Sequence, residues 1–138
     1  ASDRSLSILV VEDHPMNQAV ILETIKTLGH RADPVGNGYE AIQSLRDIPY
    51  HLVLMDCQMP EMDGFTATVE IRDPGSTVLN PRVPIIAMTA HAMKGDREIC
   101  IAAGMDDYLA KPVKAEELVR KIEYWLHTSL DDEEVCAG

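Results

Sequence analysis

Glu12-Asp13, Asp56 and Lys111 lie far apart in the 138-residue chain, yet each follows a short apolar run. Those runs read as buried strands, so the three fragments would bring Glu12, Asp13, Asp56 and Lys111 to one sheet edge. Three carboxylates so placed repel one another unless a cation neutralises them. A hard, oxygen-liganded ion such as Mg²⁺ suits them, because it uses one or two carboxylates together with phosphate oxygens and water. Asp56 is then the natural nucleophile, since carboxylates form aspartyl-phosphates. Lys111 would hold a phosphoryl oxygen as a point charge, and the Thr89 hydroxyl would donate to another. Taken singly, each residue has a plainer reading as a helix cap or a solvated side chain. Their common position after predicted strands favours the joint reading.

The elements that must position them follow from hydrophobic spacing. Strands are predicted at 7–11, 31–35, 51–55, 85–88 and 107–110. Helices are predicted at 15–28, 39–45, 65–72, 94–103 and 115–126. Pro15 suits a first helical turn, while Gly29 and Gly104 suit helix stops. Gln58 to Gly64 and Asp73 to Pro84 read as loops, the second of them long. Five βα units imply an α/β protein with a parallel sheet covered by helices on both faces. Ligands of such sheets bind beyond the carboxyl ends of the strands, where the candidate residues lie.

Composition narrows the class. Hydrophobic residues make up 46% and charged residues 25%, as in a folded globular chain, and the length suits one domain. With 4% aromatics the core must be aliphatic and rich in Met. A net charge of −11 argues against direct nucleic-acid binding, which needs Lys and Arg at phosphates. Cys57, Cys100 and Cys136 are odd in number and lack C-x-x-C spacing, which points to a reducing, cytoplasmic setting. No apolar run has the length of a membrane span, so no membrane contact is expected of this domain. The N-terminus does not read as a signal peptide. The acidic stretch Asp131-Asp132-Glu133-Glu134 reads as a mobile tail. The five histidines read as surface or loop residues.

Two competing patterns are weaker. Gly36-Asn37-Gly38-Tyr39-Glu40-Ala41 fits a dinucleotide-binding G-x-G-x-x-A, but it follows the second strand and lies near the acidic Glu12-Asp13 loop. A phosphatase with an aspartyl intermediate would carry a D-x-D loop, whereas Cys57-Gln58 follows Asp56.

Four motifs, in order, carry a family resemblance. They are Ile8-Leu9-Val10-Val11-Glu12-Asp13, Leu54-Met55-Asp56-Cys57-Gln58-Met59-Pro60-Glu61-Met62-Asp63-Gly64, Pro84-Ile85-Ile86-Ala87-Met88-Thr89-Ala90 and Gly104-Met105-Asp106-Asp107-Tyr108-Leu109-Ala110-Lys111-Pro112. Over residues 6–127 the chain resembles the receiver domain of two-component response regulators, with 1–5 and 128–138 as flexible ends or linker. The resemblance implies a doubly wound, flavodoxin-like (βα)5 fold with strand order 2-1-3-4-5. It implies Asp56 as phospho-acceptor, with Asp13, Asp56 and the backbone carbonyl of Gln58 as direct Mg²⁺ ligands, Glu12 acting largely through water, and Mn²⁺ as the alternative ion. It further implies a Thr89–Tyr108 switch pair, Lys111 as the phosphate-binding lysine, and a cis bond before Pro112.

Val11-Glu12-Asp13-His14-Pro15-Met16-Asn17-Gln18 is most similar to receivers of hybrid sensor histidine kinases, although His14 stands where those often carry Asn. The implied partners are a histidine kinase's phosphohistidine domain and a histidine phosphotransfer domain, with a homodimer through the fourth and fifth helices as a further option. Such a receiver catalyses its own phosphorylation and dephosphorylation. Its parent would be a hybrid kinase, itself membrane-anchored in some cases. A stand-alone phosphate shuttle and a non-phosphorylated scaffold are the alternatives.

Overall fold

The computed structural model describes residues 6–57, 62–73, 75–90, 94–111 and 113–137, with the backbone alone for 94–97 and 127–137. The elements are β1 (Ser7–Val11), α1 (Pro15–Thr27), β2 (Arg31–Val35), α2 (Gly38–Asp47), β3 (Leu52–Asp56), α3 (Gly64–Arg72), β4 (Ile85–Thr89), α4 (Lys94–Ala103), β5 (Asp107–Ala110) and α5 (Ala115–Ala137). The strands form one sheet in the order β2-β1-β3-β4-β5, with every neighbouring pair parallel. This is the expected doubly wound topology.

The pleat sends alternate residues to opposite faces, and both faces are buried. Leu9, Val11, Val53, Met55, Ile85 and Ala87 pack with Ala41 and Leu45 of α2, Ala67 and Ile71 of α3, and Cys100 of α4. Ile8, Val10, Leu52, Leu54, Ile86 and Met88 pack with Ile21 and Ile25 of α1 and with Leu118, Ile122 and Leu126 of α5. Continuous apolar runs are therefore what each central strand requires. β2 lies at the sheet edge, where Pro34 is tolerated. Arg31 donates inward to the Leu6 carbonyl (2.8 Å), so the alternation turns position 34, which has no N–H, away from the ladder.

The helix boundaries of α1, α2 and α3 differ from the sequence prediction by one or two residues, and three further differences bear on the site or the length of the domain. β3 is shifted to end on Asp56, and β4 continues through Thr89, because ladder hydrogen bonds extend past the last apolar residue. α5 runs to Ala137, beyond the predicted stop at Leu126; no Pro or Gly interrupts that stretch before Gly138. The α5 face is tied to β5 at Asp107, whose carboxylate accepts from Lys121 Nζ (2.8 Å) and Trp125 Nε1 (2.9 Å).

At the sheet end away from the acids, Arg72 joins three segments: the end of α3, the loop before β4 and the turn before β5. Its Nε donates to the Gly104 carbonyl (2.9 Å), its Nη1 to Pro81 and Val83 (both 2.7 Å), and its Nη2 to Asp106 (2.7 Å). Asp106 also accepts the Ile85 amide (2.9 Å). The long 73–84 loop is thereby held down, and it is seated further by buried Val78 and by Leu79 N–H to Leu45 C=O (2.9 Å). Replacing Arg72 with Met strands several carbonyls and Asp106 at once, and is expected to cost about 3 kcal/mol in urea unfolding.

His30 and His51 take part in the same end of the sheet rather than facing solvent as plain loop residues. Nδ1 of His30 accepts the Leu6 amide (3.2 Å), and Nδ1 of His51 accepts the Ser7 amide (3.1 Å). A protonated imidazole has no acceptor nitrogen. Burial, and next the neighbouring His51, push His30 below its ordinary value of 6.5, against an upward pull from Glu123. The unfolded chain therefore takes up this proton at higher pH than the folded one. The stability that His30 contributes is complete above its unfolded value and is lost as the pH falls below it. The urea midpoint should fall between about pH 7.5 and about pH 5.5. His30→Asn keeps an acceptor that does not titrate and should flatten the slope; an unchanged slope would exclude His30 as its source.

Candidate functional site

The candidate residues gather at the carboxyl ends of β1, β3, β4 and β5. β1 delivers Glu12 and Asp13, β3 ends on Asp56, β4 ends on Thr89, and Lys111 follows β5. One carboxylate oxygen from each of Glu12, Asp13 and Asp56 lies within 4.8 Å of the others. Glu12 is 0% exposed and Asp56 1%, whereas Asp13 is exposed. Lys111 Nζ lies 3.0 Å from Asp56 Oδ1 and 3.3 Å from Glu12 Oε2. Burial works against the Lys111 ammonium, but Asp56 and then Glu12 outweigh it and raise its pKa above the ordinary value. The side chain is therefore a fixed positive charge between two buried carboxylates.

The backbone sets this geometry. The Lys111 amide donates to the Thr89 carbonyl (2.7 Å), and the Glu12 amide donates to Val35 (3.1 Å). Thr89 is buried, while Tyr108 is half-buried against the core with Lys121 Nζ 5.9 Å from its ring centre. Gly64 opens α3 directly beneath Asp56: a Cβ there would collide with the Asp56 carbonyl oxygen and come within 2.9 Å of Met55 Cγ. Asp63 caps the same helix by accepting the Thr66 amide (2.8 Å). Gln58 and Pro112 lie outside the described residues, and with them the carbonyl ligand and the cis bond.

The donor set fits a hard divalent cation. One ammonium among three carboxylates leaves an excess of negative charge, all the donors are oxygens, and the exposed Asp13 gives an open side. Among the described residues the buried Oε2 of Glu12 accepts no hydrogen bond and is met only by the Lys111 ammonium at 3.3 Å. Cys57, next to Asp56, offers no rival nucleophile: burial, reinforced by Cys100, pushes its thiol far above the usual range.

The G-x-G-x-x-A segment is a helix start. Asn37 accepts the Glu40 amide (2.9 Å), and Glu40 Oε2 accepts the Gly36 amide (3.1 Å). Two of the amides at this turn, those of Gly36 and Glu40, are thus already taken by side chains of the turn itself.

Two polar residues of α1 take positions in the site for which the sequence predicted no role. Asn17 Nδ2 donates to Glu12 Oε1 (3.1 Å), and Gln18 Nε2 donates to the Glu12 carbonyl (3.0 Å). The signal was slight: two neutral amides in the first turn of a helix that follows an acidic strand end.

Residues 8–123 match the family model for the response regulator receiver domain, and the chain belongs to that family. It is 45% identical over 124 residues to two-component system protein A of Emericella nidulans, covering 88% of this chain and 17% of that protein. It is 37% identical over 129 residues to the sensor histidine kinase GacS of Pseudomonas protegens, covering 94% of this chain and 14% of the kinase. The chain thus spans less than a fifth of the length of these relatives. Among solved structures it is similar to the receiver domain of a Pseudomonas aeruginosa sensor histidine kinase with magnesium in its active-site cleft. That match has 47% identity and a TM-score of 0.79, and covers 90% of this chain and 99% of the other. It is also similar to the receiver domain of the Saccharomyces cerevisiae response regulator Ssk1, crystallised with the histidine phosphotransfer protein Ypd1. Here the identity is 31% and the TM-score 0.81, with 88% of each chain covered. Among the described residues no helix is long and apolar enough to cross a membrane.

His14 is the N-cap of α1 but makes no side-chain cap hydrogen bond. Asn there would accept a first-turn amide, so His14→Asn should stabilise the fold by about 0.5–1 kcal/mol, read as a raised urea midpoint.

Proposed function

We propose that this domain accepts a phosphoryl group on Asp56 from a partner's phosphohistidine, as one step of a phosphorelay. The observation that carries this reading is the Lys111 ammonium seated between the buried carboxylates of Asp56 and Glu12, beside Asp13. A carboxylate oxygen of Asp56 attacks phosphorus, the donor's P–N bond breaks, and its electron pair returns to the imidazole. Lys111 Nζ, already at the acceptor, follows the charge onto the phosphoryl oxygens. The Thr89 hydroxyl at the end of β4 donates to another of them, and Tyr108 turns inward as Thr89 moves. Mg²⁺ held by Glu12, Asp13 and Asp56 would supply the charge that lets a phosphoryl dianion approach a carboxylate. Phosphoryl transfer needs positioning and electrostatics above all, which this inventory provides.

The relatives support a parent of the hybrid kinase type, with this receiver as one of its domains. The Ypd1 complex of a similar receiver supports a histidine phosphotransfer protein as a partner. Residues 6–127 are the domain we assign to this role.

Incubation with acetyl phosphate and Mg²⁺ should add one phosphate, and labelling should be lost when the metal is chelated beforehand and absent from Asp56→Asn. Lys111→Ala should slow labelling about a hundredfold, the cost of losing a charge-stabilising donor. Equal labelling of Asp56→Asn in mass spectra would sink the acceptor assignment, whereas an unlabelled wild-type chain would leave the scaffold reading.

A further inference from the structure

Glu12 is held at every polar group it has. Its amide donates to Val35 (3.1 Å), its carbonyl accepts from Gln18 (3.0 Å), Oε1 accepts from Asn17 (3.1 Å), and Oε2 faces Lys111 at 3.3 Å. With the main chain fixed, the remaining freedom is that of the side-chain torsions, and the contacts of Asn17 with Oε1 and of Lys111 with Oε2 restrict it. The Asn17 group that reaches Oε1 must be its NH₂, since an ionised carboxylate only accepts. A half-buried amide on a fully buried carboxylate is a placement that a solvated helix residue does not need.

Residue type matters at this position. Aspartate would add a fourth negative charge against Glu12. Lysine or arginine would satisfy Oε1 but cancel the negative charge that attracts a cation. A neutral amide is the donor that orients Glu12 without altering the charge of the site.

We propose that Asn17 is a positioning residue of the metal site, fixing the Glu12 carboxylate through its Oε1 hydrogen bond so that the acid cluster is organised for Mg²⁺ before the ion arrives. This rests on the Mg²⁺ reading above. Residues that orient ligands in this way are commonly worth ten- to a hundredfold in metal affinity, and Asn17→Leu should weaken Mg²⁺ binding about tenfold.

Calorimetric titration of the purified chain with MgCl₂ tests it, with Asn17→Leu, Glu12→Gln and the double variant, and with Asn17→Ser as a smaller replacement should Leu fail to fold. The expected result is an affinity loss for Asn17→Leu that disappears on the Glu12→Gln background, because the effect runs through Glu12. Wild-type affinity in the Asn17 variants, or the same loss on both backgrounds, overturns the proposal. So does a lowered urea midpoint in EDTA with unchanged Mg²⁺ affinity, which assigns Asn17 to folding alone. Wild-type protein that binds no Mg²⁺ fails at the earlier step, and overturns the metal reading itself.

Discussion

Two carboxylates, Glu12 and Asp56, are buried at the rim of a sheet whose faces are otherwise aliphatic, with the Lys111 ammonium between them. Each acid forfeits several kcal/mol of hydration, which an opposite charge at close range must offset. That requirement organises much around it. Lys111 must arrive from β5 in register, which the hydrogen bond from its amide to the Thr89 carbonyl secures, and Asp56 must end β3 rather than begin a loop. Gly64 lets α3 start against the Asp56 carbonyl, where any side chain would collide. The surplus negative charge that Lys111 leaves behind is then available to a divalent cation.

The order and faces of the elements were readable because each layer of the fold writes a distinct pattern. Doubly buried strands appear as unbroken aliphatic runs, and Pro15, Gly29 and Gly104 punctuate the helices. Acidic residues at successive strand ends marked the site. The sequence pattern leaves Asp56 and Thr89 just outside their strands because a polar side chain reads as the end of a ladder, which backbone hydrogen bonds ignore. Nothing marked the end of α5, since helix propensity without a breaker gives no boundary. The Gln58 carbonyl and the Pro112 bond rest on family resemblance.

What stayed hidden has one physical origin. Arg72, His30, His51, Asn17 and Gln18 act largely on backbone groups, or through neutral donors, and a backbone carbonyl has no residue type by which to recognise it. An arginine at a helix end reads as a solvated charge until the chain segments that converge on it are known.

Arg72 also divides the molecule mechanically. It fastens the end of α3, the loop before β4 and the turn before β5 at a single guanidinium, at the sheet end remote from Asp56. A plate clamped along one edge deflects by tilting, with amplitude growing toward its free edge. For β4, β5 and α4 the clamped edge is the Arg72 end and the free edge carries Thr89 and Lys111. Any tilt of these elements about the Arg72 clamp would therefore displace the rim with Thr89 and Lys111 more than the clamped rim.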